Sequence, residues 1–361
     1  MRFGSRKKKI VNFNALVKNI NSVSEDAFSN PAAYSLVQFS HIGDTVYFSA
    51  NNGTNGFELW KSDGTESGTS LVKDINSGSS SSMAGFANGT VFNSTLLFIA
   101  DDGSHGYELW KTDGTESGTS LIKDINTGTL DPNNTGRGLW FNPTVLNDYA
   151  YFFAYDSSGD YELWRTDGSE SGTSLVKNIN SSGSSTGSFL GVIDNKLFFY
   201  AYDGSNGSEL WITDGTESGT SLVKDINPGS SSSTPTGGCV YKDYIYFTAD
   251  NGSNGRELWR SDGTADGTTL FKEFIGSTYS GSPSDYVIAG DYLYFTAVDA
   301  TLDRKRVWQT DGTSNGTIDV SGSSFDSEWS DSSARASYLV AFGNDIILSS
   351  YTDGLDDNYG Q

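Results

Sequence analysis

Apolar residues fall in short runs of five to eight along this chain, rich in Thr, Val, Tyr and Phe and punctuated by Gly, Asn and Asp. No stretch of ten shows helical spacing, so the pattern predicts strands joined by tight turns. The runs repeat. The string ELWKSDGTESGTSLVKDINSG returns with small changes, and its tryptophans, Trp60, Trp110, Trp164, Trp211, Trp259 and Trp308, lie 50, 54, 47, 48 and 49 residues apart. That period belongs to a four-stranded propeller blade rather than a helical hairpin repeat. In the first full unit, strands are predicted near Ser35 to Phe39, Thr45 to Ala50, Phe57 to Ser62 and Thr69 to Ile75. The turns between them are His41 to Asp44, NNGTNG and DGTESG, whose Asn-Gly and Asp-Gly pairs suit tight connections.

The two ends of the repeat are complementary. Leu16 to Ile20 reads as a fourth strand with no first three before it, and Tyr338 to Gly354 as a first and second strand with no ELW after them. An N-terminal strand that completes the last blade closes a ring and removes open sheet edges. The sequence therefore predicts an all-β, seven-bladed β-propeller closed by its N-terminal strand, with six blades as the rival count. A basic arm, 1–13, precedes one propeller domain, 14–361. Its blades are expected near 34–75, 85–125, 138–179, 187–226, 236–274, 285–320 and 337–361 plus 14–20. The third strand of the seventh must come from LDDNYGQ or be missing.

Strand alternation suggests a register. If Ser62 faces Thr69 across DGTESG, then Trp60 faces Leu71 and Glu58 faces Lys73 on one side of the sheet. The pairs Glu58/Lys73, Glu108/Lys123, Glu162/Lys177, Glu209/Lys224 and Glu257/Lys272 all keep a 15-residue separation, and the sixth unit changes both members, to Arg306 and Ser321. These glutamates, with Trp60, Trp110, Trp164, Trp211 and Trp259 beside them, read as blade construction rather than a carboxylate ring for chemistry. The Asp-Gly loops at Asp63, Asp113, Asp167, Asp214, Asp262 and Asp311 read as turn chemistry, because they lack the alternating Asp spacing and distal Glu of a calcium loop.

Charge narrows the function classes. With 23 basic and 45 acidic side chains in 361 residues, the formal charge is -22, which opposes nucleic acid and anionic membranes. Arg2, Arg6, Lys7, Lys8 and Lys9 concentrate in the arm, which lacks the clean apolar region of a signal peptide. No run is long enough to span a membrane. One cysteine, Cys239, and two histidines, His41 and His105, supply neither a disulfide frame nor a Cys/His zinc site. Cys239 reads as a small core residue. Only 35% of residues are apolar, and the 42 glycines that accompany them are hairpin punctuation.

The segments ELWKSDGT, ELWKTDGT, ELWRTDGS, ELWITDGT and ELWRSDGT resemble the ELWxxDGT repeat family of large bacterial surface and secreted proteins, common in marine cyanobacteria. The resemblance runs from Leu16 to about Gly354 and implies a propeller with an adhesive or cell-surface role and no catalytic residues. Arg306 and Val307 depart from it in the sixth unit.

Sites are expected on the loop face that carries the blade connections. The connections after the second and sixth blades hold Arg137, Trp140 and Phe141, and Phe325, Trp329 and Arg335; their two tryptophans are the only ones of eight outside the repeat motif. Exposed Trp beside Arg suits a glycan or protein contact, although Trp140 also fits as packing at a strand entry. Asp101 with Asp102, and Asp250 with Asn251, are the weak metal candidates, and calcium is the one cofactor left open. The sequence thus reads as a non-catalytic structural or adhesive propeller, extracellular or on a cell, matrix or virus-particle surface, contacting a glycan or protein. The alternatives are a carbohydrate-active propeller enzyme using paired carboxylates and an intracellular interaction scaffold.

Overall fold

The computed structural model describes residues 17–21, 39–82, 89–127, 143–274, 280–299, 304–321 and 334–352. Within them the fold is all-β, with no helix, as a propeller requires. There are six four-stranded antiparallel sheets and one two-stranded sheet, and in each the strands follow chain order. The first sheet comprises Ser40–Ile42, Thr45–Asn51, Phe57–Ser62 and Ser70–Lys73. Sheets two to six occupy 90–121, 144–177, 187–224, 236–272 and 284–319, and the seventh is Ala334–Phe342 with Asp345–Thr352.

The first hairpin corrects one expectation. Ile42 pairs directly with Thr45, so the opening strand is Ser40–Ile42 and the turn is only Gly43-Asp44, with Gly43 at φ 56°. In the second and fourth sheets the same two-residue turn is made by Asn93-Ser94 and Asp194-Asn195, with positive φ at both positions, as a type I′ hairpin demands. The fourth strand also starts one residue late. Thr69 belongs to the loop, where its Oγ1 donates to the Thr65 carbonyl at 2.7 Å.

The chain divides into two compact units, 1–124 with 129–142, and 125–128 with 143–361. In the first, Trp110 of the second sheet packs with Leu59, Val72 and Ile75 of the first in one buried cluster, while Ile20 packs beside Phe48 and Trp60. In the second unit, Trp211 packs with Val176 and Ile179 of the preceding sheet, and Trp259 with Val223 and Ile226. Trp110, Trp211 and Trp259 therefore each belong to the seam with the sheet before them. Cys239 is half-buried against the fifth and sixth sheets, and burial pushes its thiol pKa up, which suits the core role. Within the second unit the opening strands Gly187–Ile193, Thr236–Tyr241, Ser284–Ala289 and Ala334–Phe342 neighbour one another in succession. Such convergence of first strands is the radial packing of propeller blades.

Because Trp211 is almost wholly enclosed, Trp211→Ala should destabilise the protein by about 3–5 kcal/mol, whereas exposed Leu175→Ala should cost under about 1 kcal/mol. Urea denaturation of the two variants checks the contrast.

Candidate functional site

The predicted cross-strand register holds at two of its three rungs. Ser62 Oγ lies 2.7 Å from Thr69 Oγ1, and Trp60 pairs with Leu71. Glu58 does not face Lys73. A bulge between Leu59 and Trp60 places Lys73 opposite Leu59, and the same shift recurs before Trp164, Trp211 and Trp259. In the second sheet the expected Glu108/Lys123 rung is absent for a further reason. Its fourth strand is only Ser120–Leu121, so half-buried Lys123 lies past the strand's end, and the Leu109 carbonyl accepts from Ile122 N at 3.0 Å. The extra residue in the fourth strand reverses the alternation, so the expected Glu/Lys pairs are replaced by two separate arrangements.

The lysines reach the next sheet. Lys73 Nζ donates to the Thr119 carbonyl at 2.9 Å, Lys224 to Thr268 at 2.8 Å and Lys177 to Glu217 at 3.4 Å, all at DGTESG-type loops. Lys272 lies over the Trp308 ring, 5.6 Å from its centre. Lys61 and Arg165 add bonds of 2.7 Å to the Gly114 and Gly215 carbonyls of the same loops. Each loop is also closed internally: Asp63 Oδ1 accepts from Thr65 N at 2.9 Å and Thr65 Oγ1 at 2.7 Å, and these bonds hold its carboxyl below the usual range. Asp113 and Asp311 are lowered by the same bonds, and Asp214 likewise.

The glutamates turn to their own sheet's exit. Glu58 Oε2 accepts from Ile75 N at 3.0 Å and Ser82 Oγ at 2.5 Å, while Oε1 accepts from Ser82 N at 3.0 Å and Asn76 N at 3.4 Å. Glu209 repeats this with Ile226 N at 2.9 Å, Ser233 N at 2.8 Å and Ser233 Oγ at 2.5 Å. Glu257 binds Phe274 N at 3.0 Å and Gly281 N at 3.1 Å, and Glu162 binds Ile179 N at 2.8 Å. In the sixth sheet Arg306, buried, instead pairs with Asp319 at 2.8 Å.

Burial pushes Glu58, Glu162 and Glu209 up to about 7, and the converging donors only partly offset it. A carboxyl near 7 suits a general acid or base. Glu58 and Glu209 are nevertheless 0% exposed with both oxygens bound, so no substrate reaches them.

Of the sequence-derived contact candidates, Arg137, Trp140, Phe141, Phe325 and Trp329 lie outside the described residues. Arg335 sits on the strand Ala334–Phe342, opposite Tyr351. At the metal candidates, Asp101 Oδ1 accepts from Gly103 N at 2.7 Å, and Asp102 Oδ1 from Ser104 N and His105 N at 2.9 and 3.0 Å. Asp250 Oδ1 binds Gly252 N at 2.7 Å, and Asn251 Oδ1 binds Ser253 N and Asn254 N at 3.0 Å. These oxygens close their own loops as Asx turns. Burial raises the Asp102 carboxyl, but the bonds from His105 and Ser104 outweigh it, and His105 is raised in return by Asp102 at 2.8 Å. Among the described residues no group of three or more His, Cys, Asp or Glu is arranged to hold a metal ion.

A feature not singled out from sequence is an apolar row on the opening strands. Val145, Val192, Val240 and Ile288 hold one register position, opposite Ala150, Leu197, Ile245 and Leu293. Val145 and Ile288 are 38% and 43% exposed, and the other two are half-buried. The signal was readable as β-branched residues two before each hairpin turn.

The raised glutamates set a pH dependence. Between about 4.5 and about 7 the folded protein holds protons that the unfolded chain has released, so their contribution is complete below 4.5 and lost as pH rises through 7. Lowered Asp63, Asp113, Asp214 and Asp311 act oppositely, losing their contribution as pH falls below 3.8. Urea midpoints measured across this range should peak at mildly acidic pH, and Glu209→Gln should flatten part of the decline toward 7.

No protein-family profile matches the chain, and a search of curated proteins returns no match. Solved structures do match. Prolyl oligopeptidase B from Galerina marginata, bound to a 25mer macrocyclization substrate, aligns with TM-score 0.51 and 10% identity over 86% of this chain and 47% of that one. Puromycin hydrolase aligns at 0.47 and 13% identity, over 87% and 50%. This chain thus spans about half the length of either, and the likeness to prolyl oligopeptidase B is one of fold. It corrects the expectation of a structural or adhesive surface propeller, since the chain that carries the matching fold is a prolyl oligopeptidase.

Proposed function

We propose that this chain is a peptidase-type propeller module that receives extended peptide and leaves bond cleavage to a separate catalytic domain or partner. The observation that carries this reading is the fold match over 86% of the chain to prolyl oligopeptidase B in its substrate-bound form. Val192, Val240 and Ile288 on converging strands, with Val145 at the matching register position, support it, because such apolar side chains suit peptide side chains without fixing one sequence. The absence of a catalytic residue in this chain is part of the proposal. The buried glutamates are committed to main-chain N–H groups, which supports it.

The module is proposed to be a seven-bladed ring closed by its N-terminal strand. Lys18 Nζ donates to the Thr69 carbonyl at 2.7 Å, just as Lys73 donates to Thr119, and Ile20 packs against Trp60. Residues 17–21 therefore stand before the first sheet as a fourth strand stands before its successor. Deleting 1–21 should destabilise the protein by about 1–2 kcal/mol through the lost Ile20 contact. Averaged electron-microscopy views down the ring should count seven blades, and a count of six contradicts the closure.

The functional test uses a fluorescent, net-neutral peptide of 25 residues containing proline. The chain alone should bind it without cleaving it, and Val145→Asp with Ile288→Asp should weaken binding at least about tenfold. Cleavage by the purified chain, or affinity unmoved by the double substitution, contradicts the reading.

A further inference from the structure

Trp110 and Trp259 are each only 6% exposed, and among the described residues the buried indole N–H of each meets no hydrogen-bond acceptor of the protein. Tryptophan Nε1 can only donate, and a buried donor without a partner carries a desolvation penalty. Asp74 and Asp225 present the opposite shortage. Their Oδ1 atoms are enclosed and accept from no described group, although an ionised carboxylate can only accept.

Donor and acceptor lie in the same seams. Asp74 falls between Val72 and Ile75, both in the buried cluster with Trp110, and Asp225 falls between Val223 and Ile226, both in the cluster with Trp259. Residues 143–274 are described without a break, so both sides of the Trp259 seam are on view. The linker fixes how each carboxylate is turned. Asp74 Oδ2 accepts from Asn55 Nδ2 at 2.8 Å and Gly78 N at 3.3 Å, and Asp225 Oδ2 accepts from Gly229 N at 3.1 Å. With one oxygen held on the linker, the other is kept inside.

Two further seams have the donor without this acceptor. Trp211 and Trp308 also carry an unpartnered indole N–H, but the residues aligned with Asp225 are Asn178 and Glu273, and both are exposed. Glu273 Oε1 instead accepts from Asn254 Nδ2 at 2.8 Å.

A group that satisfies both orphans must accept on one side and donate on the other. A metal cation would meet the indole hydrogen, and an anion would meet the carboxylate. Water does both, and buried waters characteristically join polar groups that the protein leaves unpaired. We propose that the Trp110 and Trp259 seams each bind one structural water, which accepts from the tryptophan Nε1 and donates to Oδ1 of Asp74 or Asp225. Each water joins one sheet to the next at the point where the linker leaves. The site is separate from the surface proposed to receive peptide.

A high-resolution crystal structure of the full chain should show, in both seams, one ordered water about 2.7–3.2 Å from Nε1 and from Oδ1. In solution, the Trp110 and Trp259 indole protons should show cross-relaxation with water of the sign that marks long residence. Asp225→Ala should abolish this signal at Trp259 and leave it at Trp110, whereas Asp225→Asn, which keeps an acceptor, should retain it at both. If Asp225→Ala does not fold, the wild-type density decides alone. Seams without an ordered water, a direct bond from Nε1 to Oδ1, or a water touching only one of the two atoms overturns the proposal. A Trp259 signal that survives Asp225→Ala does the same.

Discussion

A buried carboxylate that collects the main-chain N–H groups of the outgoing linker is the constraint on which the other contacts depend. After its fourth strand each sheet must send the chain back inward to begin the next, and the linker's N–H groups leave water on the way. Glu58 meets Ile75, Asn76 and Ser82, and Glu209 meets Ile226 and Ser233. Leaving such a buried donor unpaired costs about 1–3 kcal/mol, so one side chain offsets several penalties at once. The cost appears in the carboxyl itself, which burial pushes to about 7. What resembles a tuned acid is the electrostatic consequence of an anchor.

Once the linker is fixed, the remaining contacts between successive sheets follow. The tryptophan two residues after the glutamate packs against the preceding sheet's last strand, as Trp211 does against Val176 and Ile179. The lysine displaced by the bulge spans forward to a loop carbonyl, as Lys224 does to Thr268. Within each compact unit, apolar packing on one side and a cation on the other join successive sheets, as Trp110 and Lys73 do between the first and second. The opening strands from Gly187–Ile193 to Ala334–Phe342 are left side by side, with Ile288 exposed. The surface proposed to receive peptide is thus a by-product of how the sheets are joined.

Much of this was legible in the repeat. The tryptophan period gave four strands per unit, the Asp-Gly pairs gave the turns, and the hydroxyl pair Ser62/Thr69 fixed the loop register. The Glu58/Lys73 pairing failed because a one-residue bulge after that rung reverses which face a side chain occupies, and a constant 15-residue separation is equally compatible with either face. The Glu108/Lys123 pairing failed with it, there because the fourth strand stops at Leu121 before the lysine is reached. The copies kept both residues for separate reasons, one for the linker and one for the next loop. The first turn is shorter than expected, because Gly43-Asp44 makes a two-residue turn and His41 and Ile42 belong to the strand Ser40–Ile42, while residues 35–38 of the expected opening strand lie outside the described ones. The valine row escaped notice because each member is an ordinary strand residue, and only convergence of the opening strands makes the set a surface. The adhesive reading came from a resemblance in the repeat, whereas the fold match at TM-score 0.51 is to a peptidase.

Amide hydrogen exchange in the wild type and in Glu209→Ala tests the anchoring role most directly. The Ile226 and Ser233 amides should be protected together in the wild type and lose protection together in the variant, while amides of Ser208–Thr213 stay protected. If Ile226 and Ser233 keep their wild-type protection without the carboxylate, the glutamate is not what holds one sheet to the next, and the account fails at its centre.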